Sequence, residues 1–143
     1  MEIGRARRYM DKIDLIKERI NDIKEWIGNV SMEEFMEDKK LRLATYKAFQ
    51  EIIEASMDIS SMMIRDLNLI VRDDYSNLNM LHEKKILPMD VIDALKEGNG
   101  LRNRLIHRYN NLKEDIVFTS INSLLHYFEK FIEEVKKWLK KKI

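Results

Sequence analysis

Between Met10 and Ile27, five isoleucines, Ile13, Ile16, Ile20, Ile23 and Ile27, recur at alternating spacings of three and four. That spacing returns a side chain to one face of an α-helix and scatters it over both faces of a strand, so it fixes a helix with one buried stripe. A second stripe runs through Phe49, Ile52, Ser56, Ile59 and Met63, widened by Leu41, Ala48, Ala55, Met62 and Leu67. A third, Ile121, Leu124, Leu125, Phe128, Phe131, Ile132, Val135 and Leu139, occupies the C-terminal region. A coiled-coil rod is the less favoured reading, because its a/d pattern would have to persist through the Asp73 to Ser76 turn and the Gly98 to Gly100 break.

The connections carry their own signals. Gly28 and Asn29 suit the end of the first helix, and Ser31 with Glu34 forms the S-x-x-E pattern of a capping box. Arg72 to Ser76 is polar and turn-like, and precedes a short segment around Leu78, Leu81 and Ile86. Pro88 is placed to open another helix, where its missing N–H is not needed. Gly98-Asn99-Gly100 is read as an interruption or kink, and Asp115 as the N-cap of the last helix. The chain has 143 residues, four Gly and one Pro, which suits one all-α domain over 1–143, an antiparallel bundle of four to five helices.

Charge and chemistry narrow the function. Twenty-six Lys and Arg against 25 Asp and Glu leave a net charge of +1, so any nucleic acid must be held by a local patch. The Lys136 to Lys142 run reads as solvation and complement to the helix dipole, with an RNA-backbone grip as the alternative. The absence of Cys removes disulfides, thiolate metal sites and cysteine nucleophiles. No His-x3-His or His-Glu-x2-His spacing is present, so neither a metal nor a cofactor is expected. A charged N-terminus and no apolar run near the roughly 18 residues of a membrane span make a cytoplasmic protein without membrane contact the expectation.

The least generic stretch is Leu101-Arg102-Asn103-Arg104-Leu105-Ile106-His107-Arg108-Tyr109-Asn110. On a helix, about 100° per residue puts Arg102 in the sector of Leu105, Ile106 and Tyr109. A buried guanidinium is costly without acceptors, so Arg102 must pair internally, meet a second subunit or face a cleft. Asn103 and His107, four apart, share a flank where the amide could orient the imidazole. Histidine can take the proton of a ribose 2′-OH near neutral pH, and arginine can hold a phosphate as charge grows on it. Free N–H groups just beyond the glycine break would add to an anion site. A core histidine beside surface arginines is the ordinary alternative.

Arg102-Asn103-x3-His107-x-Tyr109 resembles the R-N-x3-H-x-Y form of the HEPN signature, and is most similar to HepT-like toxins of toxin–antitoxin pairs. Tyr46-x-Ala48-Phe49, Glu54-Ala55 and Asp58-Ile59 resemble the long central helix of that group, and Asp115-x-Val117 the entry to its last helix. The resemblance implies a homodimeric helical bundle acting as a metal-independent endoribonuclease on RNA, partnered by a minimal nucleotidyltransferase antitoxin. By position, Arg102 and His107 would be catalytic, Asn103, Arg104 and Arg108 supporting or RNA-binding, and Tyr109 the residue that receives AMP. Arg108 departs from the pattern, where an acidic residue is frequent. A non-catalytic binding module for the nucleotidyltransferase, and an ordinary helical scaffold, are the other readings. His82 and His126 are expected to be surface or packing residues. Glu54 and Asp58 are expected mainly as solvated or structural, with Asp58 able to reach Arg102 or the antitoxin. The methionines and aromatics are expected in the core and at a subunit interface.

Overall fold

The computed structural model describes residues 1–107 and 112–142, and all its regular structure there is helical. Four long helices, α1 (Ile3–Ile27), α3 (Lys39–Asp66), α5 (Met89–His107) and α6 (Glu114–Lys142), are joined with two short ones, α2 (Met32–Glu37) and α4 (Asp74–Glu83). This is the all-α bundle that the stripes predict. Tyr9 and the five isoleucines of α1, Phe49, Ile52, Ile59 and Met63 of α3, and Phe128, Phe131 and Val135 of α6 are buried in one core. Ser56 lies within that core because its hydroxyl donates to the Ile52 carbonyl at 2.7 Å, as Ser60 does to Ser56 at 3.0 Å.

Helix ends follow local chemistry. Ser31 Oγ accepts from the Glu34 N–H at 3.1 Å while Glu34 accepts from the Ser31 N–H at 3.3 Å, which completes the capping box. Asp38 caps α3 through the Leu41 N–H at 3.0 Å. Asp73 caps α4, and its hydrogen bonds from Ser76 hold its carboxyl below the usual range. Pro88 directly precedes α5 and its carbonyl accepts from Ile92. Asp115 sits inside the first turn of α6 rather than at its cap, and with Glu114 it complements the positive end of the helix.

Two further sequence readings change. α1 starts seven residues before Met10, because Arg5 and Tyr9 reach Asp66 at the end of α3; the Tyr9 hydroxyl donates at 2.5 Å. Burial, reinforced by this carboxylate, raises the Tyr9 pKa strongly. The Gly98-Asn99-Gly100 stretch does not interrupt the chain, since α5 is helical from Met89 through His107. Gly98 is there for packing: a Cβ at that position would lie 2.6 Å from Ile53 Cδ1 and 2.9 Å from Phe128 Cζ. At Gly100 a Cβ would meet only ordinary contacts, at 3.9 Å or more.

The two glycines therefore answer differently to a methyl group. Alanine gains about 1 kcal/mol over glycine in a helix interior. At Gly98 overpacking outweighs that gain. Gly98→Ala is expected to lower unfolding free energy by about 1–2 kcal/mol. Urea unfolding checks this, and an unchanged or higher midpoint would mean that Ile53 and Phe128 yield.

Candidate functional site

α5 is pinned to the core by Leu95, Leu101 and Leu105, with Gly98 against α3 and α6. This directs Arg102 toward α3. Its side chain is 20% exposed, and Nη1 lies 3.6 Å from Glu54 Oε1. Nη2 donates to Asn99 Oδ1 at a long 3.4 Å, while Nε is buried without a hydrogen-bond partner among the described residues. Glu54 Oε1 also accepts from Gln50 Nε2 at 3.0 Å. The guanidinium is thus removed from much of the solvent yet only weakly bonded, and leaving a charged donor unsatisfied costs more than about 1 kcal/mol. An anion with better-placed oxygens would relieve that deficit.

The remaining motif residues stand on the last two turns of α5. Asn103, Arg104 and His107 are exposed. Five residues on from Arg102, His107 is turned by about 140° on an ideal helix, so one chain directs the arginine and the histidine to different faces. The amide that meets Arg102 is that of Asn99, one turn earlier, which is nearly fully buried. Arg108 and Tyr109 lie outside the described residues.

Because α5 continues through the motif, the backbone N–H groups expected to be free for an anion are turned into the helix instead. The motif lies near the negative end of the helix dipole, so attraction for a phosphate must come from side-chain cations. Beside it, a cleft of about 310 Å³ opens between α3 and α5, lined by Leu43, Tyr46, Lys47, Gln50, Leu105 and Ile106. Ile106 on its rim is 43% exposed.

The other acids and histidines singled out in the sequence have partners elsewhere. Asp58 does not serve Arg102 but accepts from Lys12 at 3.1 Å, and Glu54 is the acid that faces the guanidinium. His82 Nδ1 lies 3.0 Å from the Leu87 carbonyl and ties the α4–α5 turn, while His126 packs on Tyr127. Among the described residues no group of His, Asp and Glu could hold a metal ion, and no helix is long and apolar enough to cross a membrane. Gln50 and Asn99 escaped the sequence reading; the spacing of Gln50 to Glu54 and of Asn99 to Arg102 along their helices was the available signal.

Residues 16–135 match the family model described as Ribonuclease HepT-like. A candidate RNase of Archaeoglobus fulgidus is 36% identical over 140 residues, covering 96% of this chain and 97% of the relative. The mRNA nuclease HepT of Shewanella oneidensis is 30% identical over 128 residues, covering 89% and 95%. A solved structure of a tri-AMPylated Shewanella oneidensis HEPN toxin in complex with MNT antitoxin superposes with a TM-score of 0.85 at 28% identity, covering 96% of this chain and 99% of that one.

The weak bonding of Arg102 makes a prediction about stability alone. An apolar side chain of similar length fills the same space without an unmet donor, so Arg102→Met is expected to change unfolding free energy by less than about 1 kcal/mol. Chemical denaturation measures it. A loss of about 3 kcal/mol would instead make the Glu54–Arg102–Asn99 contact a pillar of the fold.

Proposed function

The chain belongs to the HepT-like ribonuclease family, and from that premise we propose that it is the toxin of a toxin–antitoxin pair, a metal-independent endoribonuclease that uses Arg102 and His107. The observation that carries this reading is the half-buried, weakly bonded guanidinium of Arg102 beside Glu54. Such a group is ready to exchange a poor carboxylate contact for a phosphate. The reaction follows from the residue chemistry. His107 accepts the 2′-OH proton, the 2′-oxygen forms a bond to the adjacent phosphorus, and the P–O5′ bond breaks as the 5′-oxygen takes up a proton. Arg102 neutralises the charge that grows on the non-bridging oxygens. No step needs a metal ion.

A single chain turns Arg102 and His107 about 140° apart on α5, which favours a homodimer in which two copies complete one cleft. The exposed Leu43 and Ile106, at the cleft beside the motif, suit such an apposition. Asn103, Arg104 and Arg108 would hold the RNA strand. The partner is a minimal nucleotidyltransferase antitoxin, in keeping with the MNT antitoxin bound to the related Shewanella toxin. AMP added to Tyr109 would put bulk and negative charge where phosphate must approach, and so inhibit. The tri-AMPylated state of that relative supports this mode of control.

Expression of the chain alone is expected to slow growth and degrade RNA. Arg102→Ala and His107→Ala should each lower the cleavage rate at least about 100-fold and restore growth. Cleavage by the purified protein should persist in excess EDTA. Alanine variants as toxic as the parent chain would overturn the assignment of these residues, and loss of cutting in EDTA would overturn metal independence.

A further inference from the structure

Across α5 from Arg102 lies a second surface, of which the cleavage reading uses Arg104 alone. Tyr75, two residues into α4, is 42% exposed. Its hydroxyl lies 3.5 Å from the Lys96 carbonyl of α5. The same hydroxyl and Arg104 Nη1 come within 3.9 and 4.0 Å of the point that a Gly100 Cβ would occupy. Gly100 is thus the floor of a notch between an aromatic ring and a guanidinium. Unlike Gly98, it has no packing reason to be glycine, since a methyl group there would meet only ordinary contacts. Two acids lead into the ring: Asp74, directly before it in the first turn of α4, and the cap Asp73, both of whose carboxylate oxygens are engaged by Ser76, which lessens its opposition to an anion.

Gly100 and His107 are seven residues apart, two turns on one face of α5 and about 10 Å along its axis. One RNA strand can touch both. We propose that Tyr75, Gly100 and Arg104 form an RNA-binding subsite in which a base flanking the scissile phosphate stacks on Tyr75. The strand's ribose and phosphate settle into the notch at Gly100, with the phosphate against Arg104. Stacking accepts any base through its π-face, whereas the arginine contact responds to salt. The inference rests on RNA being the substrate, and it adds a contact on α4 outside the signature motif.

The test reads binding separately from turnover. In the full-length protein carrying His107→Ala, the Kd for a labelled single-stranded RNA is measured by fluorescence anisotropy over a range of salt. Tyr75→Ala and Tyr75→Leu should each weaken binding about tenfold, with Tyr75→Phe and Tyr75→Trp close to the parent, as removal of one stacking platform requires. Arg104→Gln should weaken binding and lower the salt slope by about one, while the Tyr75 variants leave the slope unchanged. Gly100→Ala should raise Tm by about 2–4 °C, because alanine favours the helix, and yet weaken RNA binding severalfold. That pairing separates a ligand notch from a structural glycine. An unchanged Kd in both Tyr75→Leu and Gly100→Ala overturns the subsite. RNA that binds in a Tyr75-dependent way but is never cut by the chain with His107 intact overturns the nuclease reading and leaves the subsite standing.

Discussion

The approach of Gly98 to Ile53 and Phe128 sets the register of the site. Glu54 follows Ile53 on α3, and Arg102 stands one turn after Gly98 on α5, so the contact that seats the two helices also faces the guanidinium with the carboxylate. A side chain at position 98 would hold α5 away from both neighbours and change that separation. Interiors packed at crystal-like density transmit such a shift rather than absorb it. The placement of Arg102 thus depends on a residue that contributes no polar atom of its own.

Polar satisfaction is distributed unevenly along α3. At its C-terminal end, Asp66 accepts from both Arg5 and Tyr9, and burial, reinforced by that carboxylate, raises the Tyr9 pKa. Twelve residues earlier, about 18 Å along the helix, Glu54 offers Arg102 only a long contact, and Nε of the arginine stays unmet. The first arrangement fastens α1 to α3. The second adds little to the fold, and its deficit is one that an incoming phosphate would lessen. On the proposed function this is an advantage, because a fully bonded guanidinium would have to break good contacts before it could bind a phosphate.

How much the sequence disclosed follows from how local each determinant is. The stripes of α1, α3 and α6 and the Ser31–Glu34 box were legible because periodicity and capping act within a few residues. The first turns of α1 were not, since Arg5 and Tyr9 owe their helical setting to Asp66, 61 and 57 residues away. Gly98 misled because glycine's weak helix propensity is visible in sequence while the Ile53 and Phe128 contacts are not. Glu54 and Asp58 are one turn apart on α3, and only the relative placement of α1 and α5 decides that Lys12 takes Asp58 and Arg102 takes Glu54. Arg102 itself could be singled out because an arginine within an apolar sector is anomalous wherever the helix packs.

The direction of α5 bears on which groups can attract a phosphate. The motif occupies the C-terminal part of the helix, where the dipole favours cations and repels anions. With a net charge of +1, the chain supplies no broad field to overcome this. On the proposed function, Arg102 and Arg104 would supply that attraction at short range, from opposite flanks of α5. Arginines, with fixed charge and planar forks, would suit both flanks in that role better than lysines.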